Sequence, residues 1–468
     1  MNNNNYLPQV PIAAIATALA PSALAVIRTS GSLSIELVSS VFSRSKALLQ
    51  AQGNTTLYGW IVDGDEKIDE VILAVYRAPK SFTGENMVEI FCHGGTSPVL
   101  SVFNLLLRSG FRQAERGEFS FRAFLNGKTD LTRAEAVREI IESKTGESRS
   151  RAAGRLSGNL EEQLTSIKHA LIHTLGTIEV EIEYPEDEET IADAFDTTEL
   201  KETIVLLKKL SSSWKCEKLY QEGARIILSG KTNAGKSSLF NALLKEERAI
   251  VSDVHGTTRD WIESYVSFDG IPARLFDTAG LRETQDLVEK RGVEMTYDLS
   301  RDADIVLYLL DSRYEVTNND VSFLEALVTR STTHVPSIVV FTKSDLKQAD
   351  IEAAKPLFKS CNISQYVSVC SKTGDGIHEL GNAVKTILLQ GSSTERDQAG
   401  LGSERQKKSV DEAVHCLEHA LFVYEKDYTL DAVVQDIEDA LEALSSITGE
   451  VTPEDVLGSI FANFCVGK

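Results

Sequence analysis

The octapeptide Gly230–Ser237, G-K-T-N-A-G-K-S, constrains this chain more than any other stretch. It follows an apolar segment, Arg225–Ser229, and runs into a helical pattern beginning at Ser237-Ser238-Leu239-Phe240-Asn241. A strand, a glycine-bearing loop and a helix in that order form a phosphate cradle. The glycines let successive backbone N–H groups turn inward, so Asn233, Ala234, Gly235, Lys236, Ser237 and Ser238 can face phosphate oxygens. Lys236 then reaches the β/γ-phosphates and the Ser237 hydroxyl reaches Mg²⁺. The helix N-terminus behind the loop adds a dipole that favours an anion. A ligand-free glycine turn is the plain alternative, and the loop alone does not decide between them.

The following segments do. Residues 217–384 alternate strands and helices at the rhythm of a doubly wound α/β domain, with strands expected at Arg225–Ser229, Tyr265–Phe268, Ala273–Phe276, Ile305–Leu310, Ser337–Phe341 and Tyr366–Val369. Asp277-Thr278-Ala279-Gly280 closes one strand, placing a carboxylate near the metal and the Gly280 N–H near the γ-phosphate. Thr257 and Thr258 lie in the preceding loop, where a hydroxyl on Mg²⁺ orders the segment when triphosphate is bound. Thr342-Lys343-Ser344-Asp345 ends another strand, and Asp345 can accept from the guanine N1–H and exocyclic amine, a donor pair adenine lacks. Cys370-Ser371-Lys372 ends the last strand and buttresses the base carbonyl. Five weak elements in this order make a strong prediction of a Ras-like P-loop domain that binds GTP. Two departures stand out. Leu281 occupies the place of a water-positioning glutamine, so hydrolysis must recruit another group, and Thr342 replaces the usual asparagine, retaining only part of its contacts.

At 468 residues the chain exceeds one ordinary core. Its formal charge of −21 excludes wrapping of nucleic acid by bulk electrostatics, so any RNA contact needs a local basic patch. Six scattered cysteines without a C-x-x-C pair fit a reducing compartment, and the run Ile12–Ile27, broken by Pro21 and lacking a basic leader, reads as strand, turn and strand. No stretch has the length of a membrane span, and a cytoplasmic protein is expected. Residues 1–125 read as an α+β domain with strands near Ala23–Ile27, Glu70–Tyr76 and Met87–Cys92. Residues 126–216 are helical, with Leu160, Leu164, Ile167, Leu171 and Leu175 on one stripe, and helical periodicity returns within 385–468. One helical domain interrupted by the α/β domain is the expected architecture, with an independent C-terminal bundle as its rival. The acidic run Glu179–Glu189 and the stretch Gly391–Ser403 are expected to be solvated connections.

Outside the nucleotide domain, Gly84-Glu85, Gly117-Glu-Phe-Ser120, Arg122-Ala-Phe-Leu-Asn-Gly-Lys128 with Asp130-Leu131 and Ala134-Glu-Ala-Val137, Ile447-Thr-Gly-Glu450 and the terminus Leu457–Lys468 form a distinctive set. With these the chain resembles, over essentially its whole length, the tRNA modification GTPase family MnmE, also called TrmE. The resemblance implies a homodimer formed through N-terminal domains that bind 5-formyl- or 5,10-methylene-tetrahydrofolate. It implies joint action with an MnmG-type FAD protein, in a heterotetramer, to place an aminomethyl-type (carboxymethylaminomethyl) group on C5 of the wobble uridine of certain tRNAs. Matched by motif, Arg28, Glu85, Lys128 and Lys468 are the expected folate residues; cations suit the glutamyl carboxylate and Glu85 suits pterin N–H donors. The family's glycine-rich exit from the first strand is replaced here by Thr17–Leu24. The same resemblance makes Asn233 a K⁺ ligand, completed by Ser252, Val254 and Thr257, and makes Glu289 the residue that positions the attacking water. K⁺ would do the work of an arginine finger.

Cys465 is open to two readings, a functional thiol beside Lys468 or a small packed residue among Phe461, Phe464 and Val466. His93 and His255 are not expected to hold metal, since no second ligand sits at the right spacing. Two rival functions are a ribosome-assembly GTPase, which would carry a basic RNA module after the nucleotide domain, and a nucleotide-gated dimerisation scaffold, which Leu281 keeps open.

Overall fold

A computed structural model of the chain describes residues 10–183, 197–246, 263–277, 303–329, 335–389, 400–426 and 430–467. They form two compact units, one of residues 1–138, 161–200 and 415–468, the other of 139–160 and 201–414.

The first unit is built on a six-stranded sheet: β1 Ile12–Ile15, β2 Ser22–Ser30, β3 Thr55–Asp63, β4 Glu66–Tyr76, β5 Met87–Gly94 and β6 Arg112–Gln113, ordered β3-β4-β5-β2-β1-β6. Neighbours are antiparallel except β1 with β6. Its strands alternate, as a sheet with one covered face should. Ala25, Ile27, Val71, Leu73, Val75, Val88, Ile90 and Cys92 are buried in one core with Val99, Val102 and Leu106 of the helix Thr96–Arg108. On the other face, Tyr58, Ile72, Phe91 and Val26 fall in register across four strands, and Tyr58 and Ile72 are exposed, as is Leu24. Residues 12–30 are strand, turn and strand, as the sequence predicts.

The distant parts of this unit meet through aromatic packing. Phe461, on the helix Glu454–Phe461, packs edge-on to Phe121, with ring centroids 5.4 Å apart, in a cluster with Leu131, Ala134, Leu457 and Phe464. Gly117, at φ +69°, lets the backbone pass close to the Phe461 carbonyl; a Cβ there would sit 2.3 Å from that oxygen. The helix Leu430–Thr448 buries Val433, Ile437, Ala440 and Leu444 along one stripe, while Leu441 is only partly covered. The helix Asn159–Glu183 extends into the acidic run beginning at Glu179, so that part is helical rather than loop. Its early apolar residues keep the three-four spacing and outweigh the terminal charges.

The second unit carries the other six-stranded sheet: β7 Ala224–Gly230, β8 Glu263–Phe268, β9 Ile271–Asp277, β10 Ile305–Asp311, β11 Ser337–Thr342 and β12 Ile363–Ser368, ordered β12-β11-β10-β7-β9-β8. All pairs are parallel except β8 with β9. Each strand predicted from sequence is present, with ends moved by up to three residues. Both faces are covered, so the central strands are apolar without alternation: Ile226, Leu307, Leu309 and Val340 pack with Leu239, Leu243, Leu380 and Val384 on one side, and Ile227, Val306, Tyr308 and Val339 pack with Leu324, Val328 and Phe358 on the other. After β7 the chain builds β8 and β9 to one side and then crosses to β10 on the other. That reversal opens a crevice at the carboxyl end of β7, where doubly wound folds bind ligands.

A buried ionic cluster also holds this unit together. Arg155 bridges Glu217, at 2.8 Å, and Glu139, and Arg151 meets Glu217 at 2.6 Å, with Arg155 and Glu217 almost wholly buried. Residues 400–402 close over it, with Leu401 fully buried. A Cβ on Gly400 would lie 2.5 Å from Glu217 Cγ, and one on Gly402 would lie 2.4 Å from Glu139 Oε1. This end of the Gly391–Ser403 stretch is therefore packed, not exposed; residues 390–399 lie outside the described residues.

Candidate functional site

The loop 231–235 leaves β7 at that crevice and enters the helix Lys236–Glu246. Gly230, at φ +144°, passes so close to β10 that a Cβ would lie 2.4 Å from the Leu309 carbonyl. Asn233 holds the left-handed conformation, φ +63°, which asparagine tolerates better than most residues. Lys236 is nearly buried and folds back across the loop, donating to the carbonyls of Gly230 at 2.6 Å and Lys231 at 2.9 Å. Ser237 and Ser238, at the helix start, are exposed.

The end of β11 braces the loop from behind. Thr342 Oγ1, itself buried, donates to the Ala234 carbonyl at 2.7 Å. Lys343, at φ +59°, donates to the Asn233 carbonyl at 2.9 Å and pairs with Asp311 at 2.7 Å. Hydrogen bonds from Arg313, and after it Lys343, hold the Asp311 carboxyl well below its ordinary range. Asp345 follows, exposed. The Ser344 N–H donates to the Val369 carbonyl at 3.3 Å, which fastens this segment beside Cys370-Ser371-Lys372. Cys370 is buried within a turn that its carbonyl closes with the Gly374 N–H at 2.9 Å, while Lys372 is exposed.

A second brace was not foreseen. Lys231 reaches out of the loop to Asp320 at 2.8 Å, on the helix Asn318–Thr329. Asp320 also accepts from the Thr317 N–H at 2.9 Å and the Tyr308 hydroxyl at 3.2 Å. Burial works against its charge, but the hydrogen bonds from Lys231 and Thr317 prevail and hold its carboxyl low. The signal was present in Thr317-x-x-Asp320, a capping-box spacing.

Thus Asn233, Ala234, Gly235, Lys236, Ser237, Ser238, Thr342, Lys343, Asp345, Cys370, Ser371 and Lys372 all lie in loops, at a strand end or at a helix start around one crevice. Ser252, Val254, Thr257, Thr258, Thr278, Ala279, Gly280, Leu281, Glu289, His255 and Lys468 lie outside the described residues, as does the side chain of Asp277. Among the described residues no cluster of His, Cys, Asp or Glu has a metal-holding arrangement.

In the first unit, Arg28, Glu85 and Lys128 converge. Arg28 pairs with Glu89 at 2.8 Å, lies over the rings of Phe82 and Phe119, and donates to the Gly467 carbonyl at 3.1 Å. Glu85 accepts from Ser30 at 2.7 Å and from Arg122 at 3.0 Å. Gly84, at φ +78°, brings this turn against the Lys128 stem, and Asn126 donates to the Thr83 carbonyl at 2.7 Å. Arg122, buried beside Glu118, is the residue here whose role was not read from sequence; a lone arginine on an amphipathic helix gives no such signal. The Thr17–Leu24 segment turns tightly, with the Val26 N–H on Thr17 Oγ1 at 3.2 Å. Cys465 is exposed while Phe461 and Phe464 are buried, so the thiol is not a core residue. His93, in the glycine-flanked stretch His93-Gly94-Gly95 that reads as a turn in the sequence, sits instead on β5, with Nδ1 on the Asp69 carboxylate at 2.7 Å.

A family model for the GTP-binding protein TrmE N-terminus matches residues 11–128, and one for the MnmE helical domain matches residues 131–465. A tRNA modification GTPase MnmE of Treponema denticola is 50% identical over 98% of both chains. One of Treponema pallidum is 44% identical over all of both. The solved G domain of the T. maritima FeoB iron transporter is 26% identical, covering 35% of this chain and 98% of that one, with a TM-score of 0.27.

Proposed function

The chain belongs to the MnmE family of tRNA modification GTPases, and from that premise we propose that it hydrolyses GTP in a K⁺-dependent manner while modifying the wobble uridine. The observation that carries the reading is the double tie of Thr342 and Lys343 to the loop carbonyls of Ala234 and Asn233. It makes the segment leading to Asp345 and the phosphate cradle one rigid body, as a site gripping base and phosphates together needs. Asp345 selects guanine, Lys236 and Ser237 meet the phosphates and Mg²⁺, and Asp277 and Thr258 complete the metal's surroundings. Lys236 fits this role: its amine lies over the loop on two backbone carbonyls, a position from which phosphate oxygens can displace them.

K⁺ supplies positive charge at the β/γ-phosphates when bound. Asn233 fits as its ligand because its backbone is held left-handed by the loop and its side chain is exposed at the mouth of the cradle. Ser252, Val254 and Thr257 complete the set, and Glu289 positions water in place of the glutamine that Leu281 displaces. Turnover measured in K⁺ and in Na⁺ tests this: equal rates would remove the K⁺ role, and Asn233→Ala should abolish K⁺ stimulation while nucleotide still binds.

The cluster of Arg28, Glu85 and Lys128, joined by Lys468, takes tetrahydrofolate. Glu85 fits a pterin's N–H donors because Ser30 and Arg122 fix its carboxylate at an accessible turn. With an MnmG-type FAD protein, the folate one-carbon unit forms the group added at C5 of the wobble uridine. The exposed row around Tyr58 and Ile72 suits the homodimer face. Domains at 1–125, 126–216, 217–384 and 385–468 follow the same reading. Mass spectrometry of tRNA from a deletion strain tests the modification; unchanged wobble uridine in the absence of a second copy would reject it. No described helix is long and apolar enough to cross a membrane.

A further inference from the structure

The second-unit portions of the helices Thr197–Glu222 and Glu404–Glu425 border a groove of about 390 Å³ lined by Lys208, Ser211, Ser212, Trp214, Lys215, Lys407, Asp411 and Val414. Its charge departs sharply from that of the chain. Residues 208–218 and 405–411 together contain seven Lys/Arg and two Asp/Glu, in a protein with 48 basic and 69 acidic residues. One of the two acids, Glu217, is buried and already neutralised by Arg151 and Arg155. The other, Asp411, accepts from Ser211 and Lys407 and holds the Lys407 amine at the groove. Lys208 and Lys215, two turns apart on one exposed helix face, stand along the same side. Trp214 and Val414 give the groove a largely buried apolar floor, which raises the effective strength of charges above it.

We propose that this groove binds the sugar–phosphate backbone of the tRNA substrate, with Lys208, Lys215 and Lys407 contacting phosphates. The proposal rests on the reading that the protein acts on tRNA. Charge complementarity argues for it: a chain of net charge −21 repels a polyanion except where basic residues are concentrated. The spacing of the lysines along a helix suits a backbone track rather than one small anion, and the serines add neutral donors to phosphate oxygens.

The test measures binding of an unmodified tRNA transcript to the full-length protein across a sodium chloride series. Lys208→Gln/Lys215→Gln/Lys407→Gln is compared with a charge-matched control at exposed lysines away from both helices, Lys46→Gln/Lys347→Gln/Lys359→Gln. The groove variant should bind at least roughly ten-fold more weakly at low salt, with a log–log salt slope shallower by about 2–3, one per lost phosphate contact. The control should stay near the native curve, and GTP turnover should be unchanged in both. Equal curves for the groove variant and the control overturn the proposal while leaving the tRNA reading intact. Native protein with no salt-dependent tRNA binding would reject that reading and the groove with it. In a parallel sedimentation assay with phosphatidylglycerol vesicles, native protein that binds the vesicles and a groove variant that loses them while keeping native tRNA binding would also overturn it, giving the groove to an anionic lipid surface.

Discussion

Thr342 Oγ1 donates to the Ala234 carbonyl at 2.7 Å, so one hydroxyl joins the end of β11 to the floor of the phosphate loop. The same oxygen lies 3.2 Å from the Leu310 carbonyl. Thr342→Val keeps the shape but leaves a buried carbonyl without its donor, a cost of about 1–3 kcal/mol. Dissociation of a fluorescent GDP analogue should quicken by about ten-fold or more, and Thr342→Ser should restore the native rate.

Asp345 should set base choice rather than phosphate affinity. Inosine nucleotides lack the exocyclic amine, so they forfeit one hydrogen bond to a carboxylate, worth about 1.5–3 kcal/mol. The native protein should prefer GDP over IDP by about ten-fold or more in competition binding. In Asp345→Ala that preference should vanish, with both affinities falling.

Arg155 joins Glu217 and Glu139 in a nearly dry interior. Removing Arg155 takes from both buried carboxylates the cation they share and leaves Glu217 to Arg151 alone, a loss bounded above by the roughly 3–5 kcal/mol of a wholly unpaired buried charge. Arg155→Met should lower the urea midpoint of the unit that contains it. Lys355→Met, which breaks the exposed pair with Glu352, should move that midpoint little.

His93 provides the pH test. Its hydrogen bond to Asp69, then the charge of that carboxylate, raises its pKa above the ordinary value. A raised folded-state pKa means stabilisation fully present below about pH 6.5 and lost as pH rises through the folded value. Titration by NMR should place His93 above its ordinary value, and Asp69→Asn should bring it down. A His93 that titrates unchanged in Asp69→Asn would refute the coupling.

Thiol labelling should follow exposure. Cys465 is exposed and Cys416 intermediate, while Cys92, Cys216, Cys361 and Cys370 are buried. Burial, with the nearby Asp69 charge, pushes the Cys92 thiol up to about 11. Iodoacetamide under native conditions should modify Cys465 first, as read by peptide mass spectrometry, and Cys92 only after unfolding.

The nucleotide domain was legible because its signals are local. A glycine loop between an apolar strand and a helix, and short polar motifs at strand ends, announce their geometry wherever they occur. The contacts that stiffen the loop were not legible: Lys231 with Asp320 and Thr342 with Ala234 join residues about 90 and 110 positions apart. Nothing in the local pattern of either end names its partner. The ends of irregular stretches misled in the same way. Gly400 and Gly402 look like linker residues until Glu217 and Glu139 are seen pressing on them. The clustering of Arg28, Glu85 and Lys128 came from motif resemblance, and Arg122, which orients Glu85, carried no separate signal.

The passage of Gly117 beneath Phe461 has a consequence for the birth of the molecule. The first unit needs residues 415–468, which leave the ribosome about 280 residues after Arg138. At roughly 5–20 residues per second, its opening segment waits on the order of 16–65 s for the helix that ends at Phe461. Throughout that delay the apolar faces of Phe121, Leu131 and Ala134 lack their partners, while every residue of the second unit has emerged once Val414 has. The nucleotide-binding half of the protein is therefore born folded first, although its coding comes second.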